Sequence, residues 1–442
     1  MSSRPFARAA MAIALTGIAA IAPENAQAQR TRAVAEGVEE TWDEPPREPV
    51  EATFVVRGRA LPSLEEVVEK ALTFAPDVRS GRAAVEVSRA SRVNARRAPM
   101  YNPHFEVLAE RSRNGTTQGT PWTATFWLPF EISGTRNRRM KEADAYVHMH
   151  DLGVEVAQAT AAGEAIAAYG RVLVAAERVR VLERLLAVAR EAARIYEARM
   201  EVGDAILRDV TMARMDLGRT QALLAEAQGQ FASALSDLLR LTGERYDRVE
   251  THDILPPELD LEAFVAKVDE RLAPSIAVLE AQEQFYREQK VRLTREAVPP
   301  PSLMLMGGRG DAGDGRFGIG LAYEIPALRL NQGERAFAEA ESQRAQIEGD
   351  IRASVIRARL EGILEQLRRE KEAYDVLTTV ALPAADEAVE AAVATAAGGK
   401  EDAFVVIVSR RERVLLALQR LEVVERQWSL LGELVQLTGE MP

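Results

Sequence analysis

The chain has 442 residues, 47% of them hydrophobic but only 5% aromatic, and a net charge of −11. That charge argues against nucleic acid as a partner, and the absence of cysteine excludes both a disulfide framework and an acylated cysteine anchor. Ala, Glu, Arg, Leu and Val dominate long stretches almost free of Gly and Pro, a composition of long helices rather than of several compact domains.

The N-terminus places Arg4 and Arg8 before an apolar run, Ala9–Ala22, followed by Ala26-Gln27-Ala28. This is the pattern of a secretory signal peptide spanning 1–28. The run is too short to span a bilayer, and no later segment offers about twenty uninterrupted apolar residues. Residues 29–60, with Asp43-Glu44-Pro45-Pro46 and Pro49, read as a flexible leader.

Beyond the leader the expected elements repeat. Residues 61–245 read as a helix from Leu64 to Ala98, a β-hairpin over 103–131, a very long helix from Arg136 to Met200, a tip at Gly203, and a helix from Ala205 to Leu241. No proline lies between Pro129 and Pro256, so nothing sterically interrupts the long helix. A linker follows over 246–262. Residues 263–442 then repeat the series: a helix from Ala263 to Ala297, a hairpin over 301–326, a long helix from Gly333 to Ala397, a tip at Gly399, and a helix from Ala403 to Leu437.

Ordered anchors support an internal duplication. Pro76 recurs at Pro274 and Pro103 at Pro301, Pro129 at Pro326 and Arg138 at Arg335, Gly203 at Gly399, and Leu241-Thr242-Gly243-Glu244 at Leu437-Thr438-Gly439-Glu440. The offset drifts only from 198 to 196 along the chain. The competing reading is two unrelated helical halves with coincidental turns. Lengths favour duplication: the first long helix would run about 98 Å, and the two shorter ones about 52 and 56 Å, so stacked end to end they match it. Each half then forms a pair of antiparallel rods. In the long helix, Leu182, Leu185, Ala189, Ala192 and Tyr196 make one apolar stripe at coiled-coil spacing and Val179, Leu186 and Ala193 a second, so neighbours are expected on both sides.

The two hairpins decide between a soluble bundle and a barrel. Phe317, Ile319, Leu321, Tyr323 and Ile325 alternate with small or polar residues, with Leu303–Met306 as the partner strand. In the first hairpin Trp122, Ala124, Phe126, Leu128 and Phe130 alternate with Thr123, Thr125 and Trp127, and His104–Arg113 pairs with them. Phe317, Ile319, Leu321, Tyr323, Trp122 and Phe126 are the candidate lipid-facing residues. Lipid does not tolerate open strand edges, and four strands cannot close on themselves, so membrane insertion would require three chains and a twelve-stranded barrel. The bland alternative, two hairpins decorating a soluble bundle, leaves the aromatic row unexplained.

Enzyme chemistry finds no support. Gly308, Gly310 and Gly313 have nucleotide-loop spacing, but a strand follows where a phosphate-binding helix is needed, so the run reads as the outer loop of the second hairpin. His148 and His150 point about 200° apart on a helix and cannot share an ion. No nucleophile and base pair, cofactor cradle or metal site is evident.

The order of parts resembles the TolC outer membrane factor family over nearly the whole mature chain. The resemblance is carried by Ser133-Gly134-Thr135-Arg136 and by Pro326-Ala327-Leu328-Arg329-Leu330-Asn331-Gln332-Gly333-Glu334-Arg335, where each hairpin returns to helix, and by Val202-Gly203 with Asp209-Val210 and Ala213. The Asn-Gln-Gly-Glu run is similar to the CzcC-like heavy-metal branch. The resemblance implies an α+β, mainly α fold: a homotrimeric channel whose β-barrel in outer membrane lipid continues as an antiparallel helical coiled-coil barrel through the periplasm. It also implies a periplasmic adaptor docking at the tips (Val202, Gly203, Asp204, Gly398, Gly399 and Lys400) and an inner-membrane RND pump. Asp209, Glu401 and Asp402 are the candidate acidic constriction. Related channels place a carboxylate ring just past the second tip, and at the matching positions this chain has Val405 and Val408. Drug efflux and type I secretion use the same scaffold, and a periplasmic coiled-coil adaptor is the alternative from another class.

Overall fold

A computed structural model describes residues 50–51, 58–97, 101–114, 117–203, 205–250, 254–257, 273–328, 330–397 and 403–441. The expected signal peptide, and most of the expected leader and linker, lie outside these residues. The described elements are β1 (Val50–Glu51), β2 (Arg59–Ala60), α1 (Leu64–Phe74), α2 (Pro76–Ala95), β3 (His104–Ala109), β4 (Ser112–Asn114), β5 (Thr117–Gly119), β6 (Trp122–Pro129), α3 (Thr135–Glu201) and α4 (Leu207–Thr242). There follow β7 (Tyr246–Val249), α5 (Pro274–Glu296), β8 (Ser302–Arg309), β9 (Gly315–Ala322), α6 (Gln332–Val376), a π turn (Leu377–Ala381), α7 (Leu382–Ala397) and α8 (Ala403–Thr438). No helix among the described residues is long and apolar enough to cross a membrane.

The central rod is α3, with 67 residues, about 100 Å of continuous helix. Both apolar stripes read from the sequence are buried within one chain, from Val179 to Tyr196. The rod packs along α8 and α4 and, nearer the sheet, along α2 and α5. The main core joins α1, α3, α4 and α8 around Ile166, Leu238 and Trp428, and a smaller one joins α5, α6 and α8 around Ile363 and Leu434.

Contact between α3 and α8 depends on missing side chains. A Cβ at Gly163 would lie 2.2 Å from Gly432 O, and one at Gly170 would lie 2.1 Å from Trp428 Cγ. The indole is held there by donating from Nε1 to Ile254 O at 2.8 Å.

Two of the anchor pairs that revealed the duplication, and the entries to the two long helices, adopt matching backbone states. Pro76 and Pro274 each open a helix, with Ala75 and Ala273 extended before them. The single helix expected from Leu64 to Ala98 is therefore two, because a residue before proline is driven out of the α region. Gly134 and Asn331 are both left-handed at the entry to the long helices, and Gly243 and Gly439 are both left-handed at helix ends. Thr242 Oγ1 accepts from Glu244 N, and Thr438 Oγ1 from Glu440 N, each at 3.2 Å. Gly439 has φ +73°, and a Cβ there would lie 2.8 Å from Pro274 Cγ. Gly439→Ala should therefore lower stability by about 1–2 kcal/mol, measurable as an earlier thermal transition of the detergent-purified protein.

Pro383 falls inside the second long helix, where a proline kinks the helix or marks a coiling defect. It sits just after the π turn, where Leu382 N–H donates to Leu377 O. Widening the turn makes room for a ring that would otherwise crowd the carbonyl four residues back. Two other expectations need correction. The leader ends in β1 and β2 and the linker opens with β7, and these form a three-stranded sheet in the order β1-β7-β2. Gly58 N–H donates to Asp247 Oδ2 at 2.6 Å, fastening the strands together. Lys70 bridges Glu66 and Glu244 at 2.7 and 2.8 Å beside them; these bonds lower the Glu244 carboxyl below the usual carboxylate range and raise the Lys70 ammonium.

Candidate functional site

The two hairpins, far apart in sequence, join into one four-stranded antiparallel sheet in the order β3-β6-β8-β9. Each hairpin is local, and the junction is the pairing of β6 with β8, from Trp122↔Arg309 to Pro129↔Ser302. The expected strand to Ile325 stops at Ala322, so Tyr323 and Ile325 lie beyond the pairing. Pro301 explains the limit: having no N–H, it cannot extend the ladder past Ser302↔Ala322, and its carbonyl accepts instead from Phe130 N at 2.9 Å. At the other end β8 runs on to Arg309, and the glycine run closes a hairpin loop in which Gly310 N–H donates to Asp314 O at 2.9 Å.

Directly paired residues on antiparallel strands share a face. One row across the sheet is Phe105, Phe126, Leu305 and Ile319; the next is Val107, Ala124, Gly307 and Phe317; at the helical end Leu128, Leu303 and Leu321 line up. Trp122 ends this apolar face beside Arg309. The candidate residues Trp122, Phe126, Phe317, Ile319 and Leu321 therefore lie on one surface. Phe105, Val107, Leu303 and Leu305 join them; in the first strand the alternation of His104, Phe105, Glu106 and Val107 already carried that signal.

The opposite face has another character: His104, Trp127, Met304 and Gly320 in one row, and Glu106, Thr125, Met306 and Gly318 in the next. His104 and Trp127 rings lie 5.0 Å apart. The methionine side chains lie across the glycines, with Met304 Cε 2.7 Å from where a Cβ on Gly320 would stand.

Among the described residues no helix packs extensively on either face. Phe317 is 83% exposed and Ile319 70%, far beyond what a solitary soluble sheet can leave in water. The outer edges of the sheet, β3 and β9, have no partner strand among the described residues.

At the other end of α3 the chain reverses sharply. Val202 is 80% exposed, and Gly203, at φ +80°, donates from N–H to Met200 O at 3.1 Å. Ile206 and Leu207 are exposed beside it. Asp209 lies in the first turn of α4, its N–H donating to Ile206 O at 2.9 Å and its Oδ1 3.3 Å from Arg208 Nε. Asp204, Gly398, Gly399, Lys400, Glu401 and Asp402 lie outside the described residues. His150 meets Tyr146 edge-on with centroids 4.6 Å apart, whereas His148 is exposed on another side of the helix.

Residues 67–244 match the sequence profile of the outer membrane efflux protein family. Over 323 residues, 70% of this chain and 74% of the relative, the sequence is 26% identical to the cobalt-zinc-cadmium resistance protein CzcC of Cupriavidus metallidurans. Over 289 residues, 64% of each chain, it is 25% identical to the nickel-cobalt-cadmium resistance protein NccC of Alcaligenes xylosoxydans xylosoxydans. In three dimensions it superposes on the CmeC outer membrane channel of Campylobacter jejuni with a TM-score of 0.66 at 16% identity, covering 85% of both chains.

Proposed function

We propose that this chain, a TolC-type member of the outer membrane efflux protein family, is the channel subunit of a tripartite export system for heavy-metal cations. The coarser role, an outer membrane efflux channel that conducts passively and performs no catalysis, is the premise. Three copies complete a twelve-stranded barrel by pairing β9 of one chain with β3 of the next. The apolar face then meets lipid, and the face carrying Glu106, Thr125 and Met306 lines the pore.

The observation that carries this reading is the sheet itself: one apolar face and, among the described residues, two unpaired edges and no covering layer. Closure by symmetry supplies the missing hydrogen bonds, which in hydrocarbon cost several kcal/mol each when unmet. The helical rods continue the conduit into the periplasm. An adaptor docks at the tips around Val202, Gly203 and Asp204 and around Gly398, Gly399 and Lys400, linking the channel to a proton-driven RND pump. Metal cargo is supported by the names of the two sequence relatives, and Asp209, Glu401 and Asp402 provide carboxylates for cations at the tip.

Deleting the gene should sensitise the host to cobalt, zinc, nickel or cadmium, with tolerance restored by the intact gene. Unchanged metal tolerance with increased sensitivity to organic compounds would overturn the cargo while leaving the channel. Gly203→Val forces a β-branched residue into left-handed backbone. It should abolish resistance while the protein still reaches the outer membrane at normal abundance; full resistance would count against the tip as the docking site.

A further inference from the structure

Between α3, the start of α7 and α8 lies a cavity of about 110 Å³ whose wall is dominated by arginine. Arg184, Arg413 and Arg420 line it, with Glu177 as the one carboxylate and Leu382, the residue that follows the π turn, as part of the apolar wall. The nearby carboxylates are already engaged: Glu177 pairs with Arg180 at 3.3 Å, and Asp386 with Arg413 at 2.7 Å. Arg184 and Arg420 make no hydrogen bond or ion pair among the described residues, and Arg420 Nε is buried without a partner. Burial, which the pull of Glu177 opposes and the repulsion of Arg413 and Arg180 reinforces, holds the Arg184 guanidinium below its ordinary value.

An arginine stays charged in a protein. Two half-buried guanidiniums without an ion pair face a cavity whose one carboxylate, Glu177, is already shared with Arg180, which leaves an excess of positive charge at the site. The geometry points to a binding site for a small, doubly charged oxyanion of the phosphate or sulfate class, held by Arg184 and Arg420 between α3 and α8 beside the π turn. The forked N–H groups of guanidinium match tetrahedral oxyanions, and the hydrogen bonds are charge-assisted. The excess positive charge excludes a metal cation from the same cavity, and its size excludes a bulky ligand. Since α3 and α8 supply the arginines and α7 the apolar wall, a bound oxyanion would clamp the three where the second long helix changes its winding. This inference does not depend on the cargo or on the channel reading.

The test uses the full chain purified in detergent in its native oligomeric state, with inorganic phosphate as the probe. Thermal unfolding should shift upward saturably with phosphate, and sodium chloride at matched ionic strength and pH should not reproduce the shift. Arg184→Gln and Arg420→Gln should each weaken apparent phosphate affinity by roughly tenfold or more, the effect of losing one charge-assisted contact, while Arg184→Lys should retain part of it. A shift that does not saturate, that chloride matches, or that survives both glutamine substitutions would overturn the proposal. If either variant fails to fold, phosphorus NMR on the unaltered protein decides: broadening of the phosphate resonance that sulfate reverses supports the site, and a resonance that stays sharp refutes it.

Discussion

Replacing Ile319 with arginine is expected to abolish the heat-resistant assembled form of the protein, whereas Thr125→Gln should leave it intact. Ile319 is near the middle of β9 and faces the same way as Phe126 and Leu305. If that face meets hydrocarbon, an arginine near the bilayer midplane costs about 2–4 kcal/mol. The charge is repeated in every subunit of a symmetric barrel, so the penalty multiplies. Thr125 lies on the opposite face beside Glu106 and Met306, where the proposed pore supplies water. If both strands merely decorated a soluble bundle, the arginine would be harmless or would even improve solubility. The readout is the fraction of protein migrating as an assembled species without heating, and equal behaviour of the two variants would defeat the assignment of faces.

The second large effect is a reversal of sign at Gly163. Glycine inside a helix ordinarily costs about 0.5–1 kcal/mol relative to alanine, so Gly→Ala on an open surface stabilises. Gly229, exposed in α4 with nothing within 4 Å of where a Cβ would stand, should follow that rule. Gly163 should not. Its Cβ would stand 2.2 Å from Gly432 O, a backbone atom that no rotamer change can move aside. Either α3 and α8 separate or the Cβ cannot fit, and separation strips contacts around Ala167 and Trp428. Overpacking of this kind costs about 1–3 kcal/mol, which exceeds the propensity gain. Gly163→Val, larger and β-branched, should fall beyond that range and lose most folded protein. The comparison is made on thermal transitions of the purified proteins: Gly229→Ala higher, Gly163→Ala lower. Two upward shifts would mean that the close crossing does not exist in solution.

Local features were legible in the sequence, and meetings between distant segments were not. Both hairpins and the uninterrupted α3 follow from the pattern within each segment, and the duplicated anchors from a nearly constant offset of 196 to 198 residues. Pro76 also announced a helix start, but extending the helix through it from Leu64 ignored what proline does to the residue before it. The strand at Tyr246–Val249 gave no alternation to read, because four residues are too few and its partners lie about 190 positions earlier. The pairing of β6 with β8 could be inferred only from the need to bury edges. Gly163 and Gly432 look like ordinary helix glycines until α3 and α8 are brought together, and Arg184 and Arg420 look like unrelated surface charges until the same crossing brings them to one cavity. Of the candidate site, the apolar strand face was visible through its period of two, while the extent of β9 was overestimated because the limit is set by Pro301 on the neighbouring strand.

The most direct test of the central claim, that this sheet sits in lipid with a water-filled face opposite, is a single-cysteine scan of β9. The chain has no cysteine of its own, so Arg316 to Leu321 can each be replaced one at a time in protein inserted in outer membrane vesicles. Phe317, Ile319 and Leu321 should resist a charged, water-soluble thiol reagent and place an attached fluorophore where lipid-dissolved quenchers reach it. Arg316, Gly318 and Gly320 should react readily from the pore. Uniform labelling by the water-soluble reagent at all six positions would contradict the account.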